Sequence, residues 1–292
     1  MRILYCNYEY PPLGGGGGVI NKQIAEELAK THTVDVLTSQ GLGLPPQSVE
    51  NGVTVYRVPV LFRSRQAAAN LPSMLAYLPS GYWKGRKLIS KFSYDVINTH
   101  FVIPTGPVGD WLSGKAAVPN VLSVHGGDLY DPSKWMSPHR HAFLRSNVRR
   151  LLRKADAVVG QSSNTVDNVH RFYDSDIDCE CIPLGIVRNE NTTPASRSRY
   201  GLSEDDVVLV TVGRLVARKG LDQLISVVQQ MNNEHVHLVI VGSGPQEQPL
   251  KDAARDLGVS DKVHFLGQVD DDVKLEVLNM ADVYASTSLH EG

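Results

Sequence analysis

Residues 207–231 read "VVLVTVGRLVARKGLDQLISVVQQM", and this stretch decides the fold. Its first residues are almost all β-branched, which is typical of a buried strand. Four apolar residues then follow at the helical spacing i, i+3, i+4, i+7: Leu221, Leu224, Ile225 and Val228. A buried strand, a short loop and an amphipathic helix form the repeating unit of a parallel α/β sheet.

The same unit recurs on both sides of this stretch. Toward the C-terminus, strand-like runs read "VHLVIVG", "KVHFLG" and "ADVYAST". Toward the N-terminus they read "RILYC", "TVDVLTS", "VTVYRVP", "DVINTH", "NVLSVHG", "ADAVVGQS" and "CECIPLG". Helix-length segments separate most of these runs, and the first helix is predicted from Val19 to Lys30. We therefore expect doubly wound α/β sheets of the Rossmann type.

A polar stretch at residues 188–204, "RNENTTPASRSRYGLSE", interrupts the alternation of strands and helices. The chain has 292 residues, a length that suits two domains. The predicted organisation is a first domain at residues 1–190, a linker at 191–204 and a second domain at 205–292. The second sheet would stop in the loop after its fourth strand, so we expect the second domain to be incomplete.

The composition narrows the functional classes. The net charge is −2, whereas a nucleic-acid binder usually has a basic excess, so no nucleic-acid partner is expected. An odd count of three cysteines suggests no disulfide framework and fits a reducing compartment. The N-terminal residues do not resemble a signal peptide, and no apolar run reaches the ~20 residues that span a bilayer. These features predict a cytoplasmic protein.

A run of five glycines, Gly14–Gly18, lies in the sequence "YPPLGGGGGVINKQ" at residues 10–23. The dinucleotide fingerprint requires glycines at positions i, i+2 and i+5, and no starting point within the run satisfies that spacing. The sequence also contains no G-x-x-x-x-G-K-[ST] pattern, which argues against a P-loop ATPase. The glycines therefore need another explanation.

Charged residues follow two strands of the second half. In doubly wound sheets, ligands bind beyond the carboxyl ends of the strands. Arg214 follows one predicted strand and Lys219 opens the next helix, and two such cations beside a helix N-terminus suit a diphosphate. By themselves they could equally be solvated loop charges. Glu291 follows the last strand, where a carboxylate can accept hydrogen bonds from sugar hydroxyls.

Several motifs together resemble the retaining glycosyltransferases of family four, which have the GT-B fold. In the second half these are "GRLVARKG", "VGSGPQ", "VHFLGQV" and "ADVYASTSLHEG". In the first half they are "YEYPPLGGGGGVINKQIAEELAKTHTVDVLT", "DVINTHF", "SVHGGD", "ADAVVGQSSNT" and "CIPLG". The resemblance covers essentially the whole chain. It implies two Rossmann-like domains facing each other across a cleft, in a member truncated at its C-terminus.

The resemblance implies that a nucleoside-diphosphate sugar lies in the cleft. Arg214 and Lys219 would bind the diphosphate and stabilise the charge on the leaving group, in place of a metal ion. Glu291 would contact the hydroxyls of the donor sugar, and Gly244 and Leu266 would also contact the donor. The second glutamate of the family motif would fall beyond the end of this chain. No metal or other cofactor is expected.

The first domain is expected to supply the sugar end and the acceptor side of the cleft. His125 matches the family histidine that hydrogen-bonds the transferred sugar or steadies the reacting centre. Asp128 would support it or touch the acceptor, and His100 is a weaker acceptor-side candidate; a structural histidine is the alternative for both rings. Gly16 or Gly17 would contact the donor from the side opposite the two cations, and the other glycines would supply mobility.

The sequence departs from the family pattern at a few positions. Leu184 and Val187 stand where the family often has Asn and Asp, so polar contacts expected there are lost. Thr287 stands where the family often has Pro, which is a milder change.

The implied reaction transfers a sugar from a nucleoside-diphosphate donor to an acceptor hydroxyl with retention of anomeric configuration. Its place would be the synthesis of cell-surface polysaccharide or glycolipid. No close carboxylate pair of the retaining-glycosidase kind is evident in the first domain, so a front-face route fits better. Two alternatives stay open: a nucleotide-sugar-binding relative without turnover, and a UDP-sugar epimerase of the GT-B fold.

Residues 61–92 mix apolar and aromatic residues with arginines and lysines. We favour an ordinary helix packed on the first domain. The second interpretation is a surface that touches the inner face of a membrane, which would suit a lipid-linked rather than a free saccharide acceptor.

Overall fold

The computed structural model describes residues 1–61, 63, 70–132, 134–185 and 193–288. The chain divides into two compact units, residues 1–187 and 188–291, and each unit has its own sheet. Within the described ranges, no helix combines the length and the apolar character needed to cross a bilayer.

The first unit is an eight-stranded sheet with helices on both faces. Its strands are β1 (Arg2–Asn7), β2 (Thr33–Ser39), β3 (Gln47–Glu50), β4 (Val53–Val58), β5 (Val96–His100), β6 (Asn120–Val124), β7 (Ala157–Gly160) and β8 (Cys179–Cys181). Its helices are α1 (Gly16–Ala29), α2 (Leu71–Lys91), α3 (Gly106–Ala116), α4 (Ala142–Lys154) and α5 (Ser163–Phe172). The strand order is β3-β4-β2-β1-β5-β6-β7-β8, and every pair except β3–β4 is parallel.

Strand β1 lies at the centre of this sheet and is buried on both faces. Leu4 and Cys6 pack with residues of α2 and α3 on one face, whereas Ile3 and Tyr5 pack with residues of α1 on the other. Burial on both faces explains why the run "RILYC" is apolar throughout rather than alternating. The short strand β3 has no apolar run of this kind, and for that reason it was not predicted from the sequence.

Helix α1 begins at Gly16, inside the glycine run, rather than at Val19 as predicted. Its first turn is closed by the bond from the Val19 N–H to the Gly15 carbonyl at 3.3 Å. The apolar period that predicted the helix cannot detect a first turn made of glycine. Gly16–Gly18 are therefore helical, which corrects the expectation of an open loop at these positions.

The second unit is a parallel four-stranded sheet in the order β11-β10-β9-β12. Its strands are β9 (Val207–Val212), β10 (Val236–Val241), β11 (Val263–Gly267) and β12 (Val283–Tyr284). Its helices are α6 (Leu221–Met231), α7 (Glu247–Asp256) and α8 (Asp271–Met280). The four stripe residues of α6 predicted from the sequence are all buried in the core of this unit.

Part of the predicted linker belongs to the second unit. Ala195 and Leu202 are buried in the same core cluster as β9 residues. Between them, Arg197 pairs with Asp282 at 3.0 Å and donates to the Asp206 carbonyl at 2.6 Å. Polar composition predicted a connection here, but it could not reveal that these few side chains dock on the sheet.

Each sheet has a topological switch point, where the chain stops adding strands on one side of its first strand and adds them on the other side. In the first unit the switch point lies between β1 and β5, and in the second it lies between β9 and β12. Ligands of doubly wound sheets bind beyond the carboxyl ends of the strands at this position. The glycine run follows β1 and His100 ends β5, whereas Arg214 follows β9. The predicted residues therefore lie at the two switch points.

Candidate functional site

Two histidines meet at the carboxyl edge of the first sheet. His100 ends β5 and His125 follows β6, and the Nδ1 atom of His100 lies 3.0 Å from the Nε2 atom of His125. Tyr5 stacks on His100 with 4.3 Å between ring centroids, and Phe101 stacks on His125 at 4.1 Å. The structure therefore joins the two predicted histidines into one pair held between aromatic rings.

Burial keeps both imidazoles neutral. It lowers the pKa of His125 to about 3, although a hydrogen bond with Gln161 acts in the opposite direction. Burial, and then the neighbouring His125, hold the pKa of His100 well below its usual range. A neutral imidazole offers one donor and one acceptor nitrogen. His125 therefore supplies no cation, and both of its ring nitrogens already have partners, Nε2 in His100 and Nδ1 in Gln161.

Gln161 is a member of this group that the sequence reasoning missed. It follows β7, and its Nε2 atom lies 2.6 Å from Nδ1 of His125. The signal was present, because the motif "ADAVVGQSSNT" places Gln161 directly beyond a strand end, as His100 and His125 are placed. His100, His125 and Gln161 come into contact because β5, β6 and β7 are neighbours in the sheet.

Asp128 joins the loops that follow β5 and β6. Its Oδ2 atom accepts the Val102 N–H at 2.7 Å and its Oδ1 atom accepts the His125 N–H at 2.9 Å. Burial raises the pKa of Asp128 to about 6, although the backbone N–H groups act to lower it. Each carboxylate oxygen is thus used by a backbone amide, and the contact fixes the backbone that carries His125.

The glycine run comes close to the histidine pair at one position. A Cβ atom on Gly17 would lie 2.9 Å from Cζ of Phe101 and 3.7 Å from Nδ1 of His125. Gly16 has no neighbour within 4 Å of such an atom among the described residues. The N-cap residue of helix α1 is Gly15, and its N–H donates to the Oε2 atom of Glu9 at 3.3 Å, so a carboxylate of the chain already lies at this helix N-terminus.

Packing against Glu9 explains two of the other glycines. A Cβ atom on Gly14 would lie 2.7 Å from Cβ of Glu9, and one on Gly18 would lie 3.0 Å from the Glu9 carbonyl oxygen. Gly14 also has a positive φ of 108°, which side chains rarely adopt. Close approach of the backbone accounts for these two positions, and the mobility expected from the sequence stays a prediction.

In the second unit, Arg214 and Lys219 line one pocket at the carboxyl ends of β9 and β12. Gly213, Tyr284, Ser286 and Ser288 line it as well. Lys219 ends a 3₁₀ turn at Ala217–Lys219 directly before α6, and a Cβ atom on Gly213 would lie 3.6 Å from its Cε atom. Arg214 is exposed. The structure thus brings the two predicted cations together beside a helix N-terminus.

Thr287 fixes the turn that carries Lys219. Its hydroxyl lies 2.8 Å from the Gly220 carbonyl and 3.2 Å from the Lys219 carbonyl. Gly220 has a φ of 58°, and a Cβ atom on it would lie 2.5 Å from the Thr287 carbonyl oxygen. The loop after β12 and the start of α6 are therefore in direct backbone contact.

Gly244 and Leu266 are the other two predicted donor contacts that the structure describes. A Cβ atom on Gly244 would lie 2.3 Å from the Leu215 carbonyl oxygen, so this glycine permits close contact between the loops after β9 and β10. Leu266 lies in β11 and packs against the core. Glu291 and Val187 lie outside the described residues. Over the described ranges, no three His, Cys, Asp or Glu side chains are grouped so that they could hold a metal ion.

Comparison with known proteins gives matches over nearly the whole chain. The family described as "Glycosyl transferase 4-like domain" matches residues 15–185, and "Glycosyl transferases group 1" matches residues 192–292. An uncharacterized glycosyltransferase, MJ1607 of Methanocaldococcus jannaschii, is 30% identical over 100% of this chain and 75% of its own length.

Solved structures agree on the fold. Sucrose-phosphate synthase from Thermosynechococcus elongatus has a TM-score of 0.80 at 18% identity, with 100% of this chain and 76% of that chain covered. HepE from Anabaena, solved with UDP-glucose, has a TM-score of 0.69 at 21% identity, with 99% and 74% covered. These family matches, together with the two sheets and their strand-end residues, show that the chain belongs to family four of the glycosyltransferases, with the GT-B fold.

Proposed function

We propose that this protein transfers a sugar from a nucleoside-diphosphate donor to an acceptor hydroxyl, with retention of anomeric configuration. The observation that supports this most strongly is that Arg214 and Lys219 lie together at the carboxyl ends of β9 and β12, beside the N-terminus of α6. A guanidinium fork and a compact ammonium group complement the oxygens of a diphosphate. HepE, which has the same fold, was solved with UDP-glucose, so a UDP-sugar is the first donor to test.

In this proposal the two cations act on the leaving group. The bond between the anomeric carbon and the diphosphate oxygen breaks, and negative charge builds up on that oxygen. Preorganised positive groups stabilise such charge more strongly in the transition state than in the ground state. Arg214 and Lys219 would therefore lower the barrier without a metal ion.

Retention is proposed to follow a front-face route. The acceptor oxygen bonds to the anomeric carbon on the face that the diphosphate leaves, and the acceptor proton moves to the leaving diphosphate oxygen. The carboxylate that contacts the backbone of His125 is Asp128, and both of its oxygens already accept backbone N–H groups. That use makes Asp128 a poor nucleophile and favours a route without a covalent glycosyl-enzyme intermediate. Both ring nitrogens of His125 are engaged by His100 and Gln161, so His125 would steady the reacting centre rather than hydrogen-bond the sugar.

The test is a donor screen with retention as the second readout. UDP-, GDP- and ADP-sugars are incubated with saccharide acceptors, and release of the nucleoside diphosphate is measured. The configuration of the product is read from the anomeric proton coupling in NMR spectra. Release with a product of retained configuration supports the proposal. Binding of a donor without turnover would instead favour the non-catalytic relative, and inversion of the product would exclude the front-face route.

We also propose that α2 gives the protein a weak contact with anionic membranes. Its outward face presents Leu75 and Trp83, which are 58% and 63% exposed. Its C-terminal half has four basic and no acidic residues: Lys84, Arg86, Lys87 and Lys91. In a flotation assay at low salt, the wild-type protein should float with anionic vesicles, whereas the Trp83→Ala variant should not. Equal binding to neutral vesicles would contradict this contact.

A further inference from the structure

A second polar site lies at the carboxyl edge of the first sheet, beside the ends of β1 and β2. It is built around Arg63, which is only 7% exposed. The guanidinium carbon lies 4.7 Å from the ring centroid of Tyr8, and Nη1 donates to Oγ of Ser39 at 3.2 Å. A Cβ atom on Gly41 would lie 3.4 Å from the Cγ and Cδ atoms of Arg63, so the side chain is packed along its length.

One edge of this guanidinium has no partner within the described part of the chain. Nε and Nη2 of Arg63 are buried there and donate to no described group. These two nitrogens form the side of the arginine fork, whose parallel N–H groups fit a carboxylate or phosphate. Arg2, in the same unit, uses this edge to hold the carboxylate of Asp35, at 2.9 and 2.7 Å from Nε and Nη2.

The surrounding sequence offers Arg63 no carboxylate. No aspartate or glutamate occurs between Glu50 and Asp95. Arg57 provides the contrast, because it is 4% exposed and pairs with Glu50 at 2.6 Å. An arginine stays charged at physiological pH, and burying an unpaired charge is unfavourable. Among the described residues, the Nε and Nη2 edge of Arg63 thus has no anionic partner.

We propose that Arg63 binds an anionic group, a carboxylate or a phosphate, carried by the sugar acceptor. Its place beside the carboxyl ends of β1 and β2, where sheets of this kind bind ligands, supports the assignment. The identity of the ligand as the acceptor rests on the proposed function, whereas the binding of an anion does not. The enzyme would accordingly prefer acidic acceptors over neutral ones.

The test is thermal unfolding followed by tryptophan fluorescence, because Trp83, Trp111 and Trp135 all lie in the first unit. The probes are glucuronate and glucose 6-phosphate, with inorganic phosphate, neutral glucose and sodium chloride of matched ionic strength for comparison. A probe at ten times its dissociation constant should raise the melting temperature by roughly 3 °C. The two acidic sugars are expected to do so, and glucose and chloride are not.

The variants separate this site from general effects of salt and charge. Arg63→Met should abolish the shift and, without a probe, melt no lower than the wild type, because it removes an unpaired charge. Arg63→Lys should keep part of the shift. Arg171→Met removes one exposed charge from α5 in the same unit and should respond like the wild type.

Three outcomes would overturn the proposal. A full shift in Arg63→Met would show that the acidic sugars bind elsewhere. A large loss of stability in Arg63→Met without a probe would assign Arg63 to the core instead. An equal response to inorganic phosphate alone would show a site for free anions and remove the assignment to the acceptor. None of these readouts uses turnover, so failure of the donor screen is a separate result.

Discussion

The Nδ1 atom of His100 lies 3.0 Å from the Nε2 atom of His125, so one hydrogen bond between neutral imidazoles joins the end of β5 to the loop after β6. Protonation of both rings would place two N–H groups face to face and break this bond. Because burial also opposes the charged form, the pair is stable only while it stays neutral.

His125 should not titrate near neutral pH in the folded protein. Its pKa is lowered to about 3, whereas an unfolded histidine titrates near ~6.5. The stability that this shift contributes is present above pH ~6.5 and is lost as the pH falls below it. The NMR shift of the His125 ring should therefore stay constant from pH 5 to 8, with the protein in urea as the control. A midpoint near 6.5 in the folded state would contradict the neutral pair.

Asp128→Asn should loosen the loop of His125. An amide has one acceptor oxygen, so one of the two backbone N–H groups loses its partner, at a cost of ~1 kcal/mol in unfolding free energy. The wild-type pKa is raised to about 6, so the stability contributed by Asp128 is greatest below pH ~4 and falls up to pH ~6. The difference between wild type and variant in urea unfolding, measured by tryptophan fluorescence, should grow from pH 6 to pH 4. A difference independent of pH would refute this role.

Gly17→Ala should displace the ring of Phe101. The added Cβ atom would lie 2.9 Å from Cζ of that ring, which stacks on His125. Gly16→Ala is the matched control, because it adds the same atom to the same helix turn in open space. Replacing glycine by alanine in a helix stabilises by up to ~1 kcal/mol, so Gly16→Ala should melt higher and Gly17→Ala should not. Equal melting temperatures would show that the contact does not matter.

Gly220→Ala should weaken both the fold of the second unit and its binding of a nucleoside diphosphate. The added atom would meet the Thr287 carbonyl oxygen at 2.5 Å and displace the turn that carries Lys219. Gly258→Ala separates the effect of backbone strain from that of the clash, because Gly258 also has a positive φ of 69° but open surroundings. Calorimetric melting should show ~1 kcal/mol lost in Gly258→Ala and more in Gly220→Ala. Equal nucleotide binding by both variants would contradict the role of Gly220 in positioning Lys219.

The sequence predicted most of the elements that position the site. Periodicity identified the central strands and α6 because these are buried in a regular way. The motifs at strand ends were sufficient to single out His125, Arg214 and Lys219. The helical first turn at Gly16 and the edge strand β3 were missed, since neither has an apolar pattern. The contacts of Gln161 and Arg63 depend on which loops become neighbours, and local sequence does not encode that.

Titration of UDP, GDP and ADP into the protein by calorimetry tests the central claim most directly. At least one of them should bind, and Arg214→Ala should weaken that binding by roughly tenfold or more, because a charge-assisted hydrogen bond contributes ~1.5–3 kcal/mol. Arg255→Ala is the matched control, since it removes an exposed arginine from α7 in the same unit. Unchanged affinity in Arg214→Ala, or no binding of any of the three nucleotides, would contradict the assignment of this pocket to the donor diphosphate.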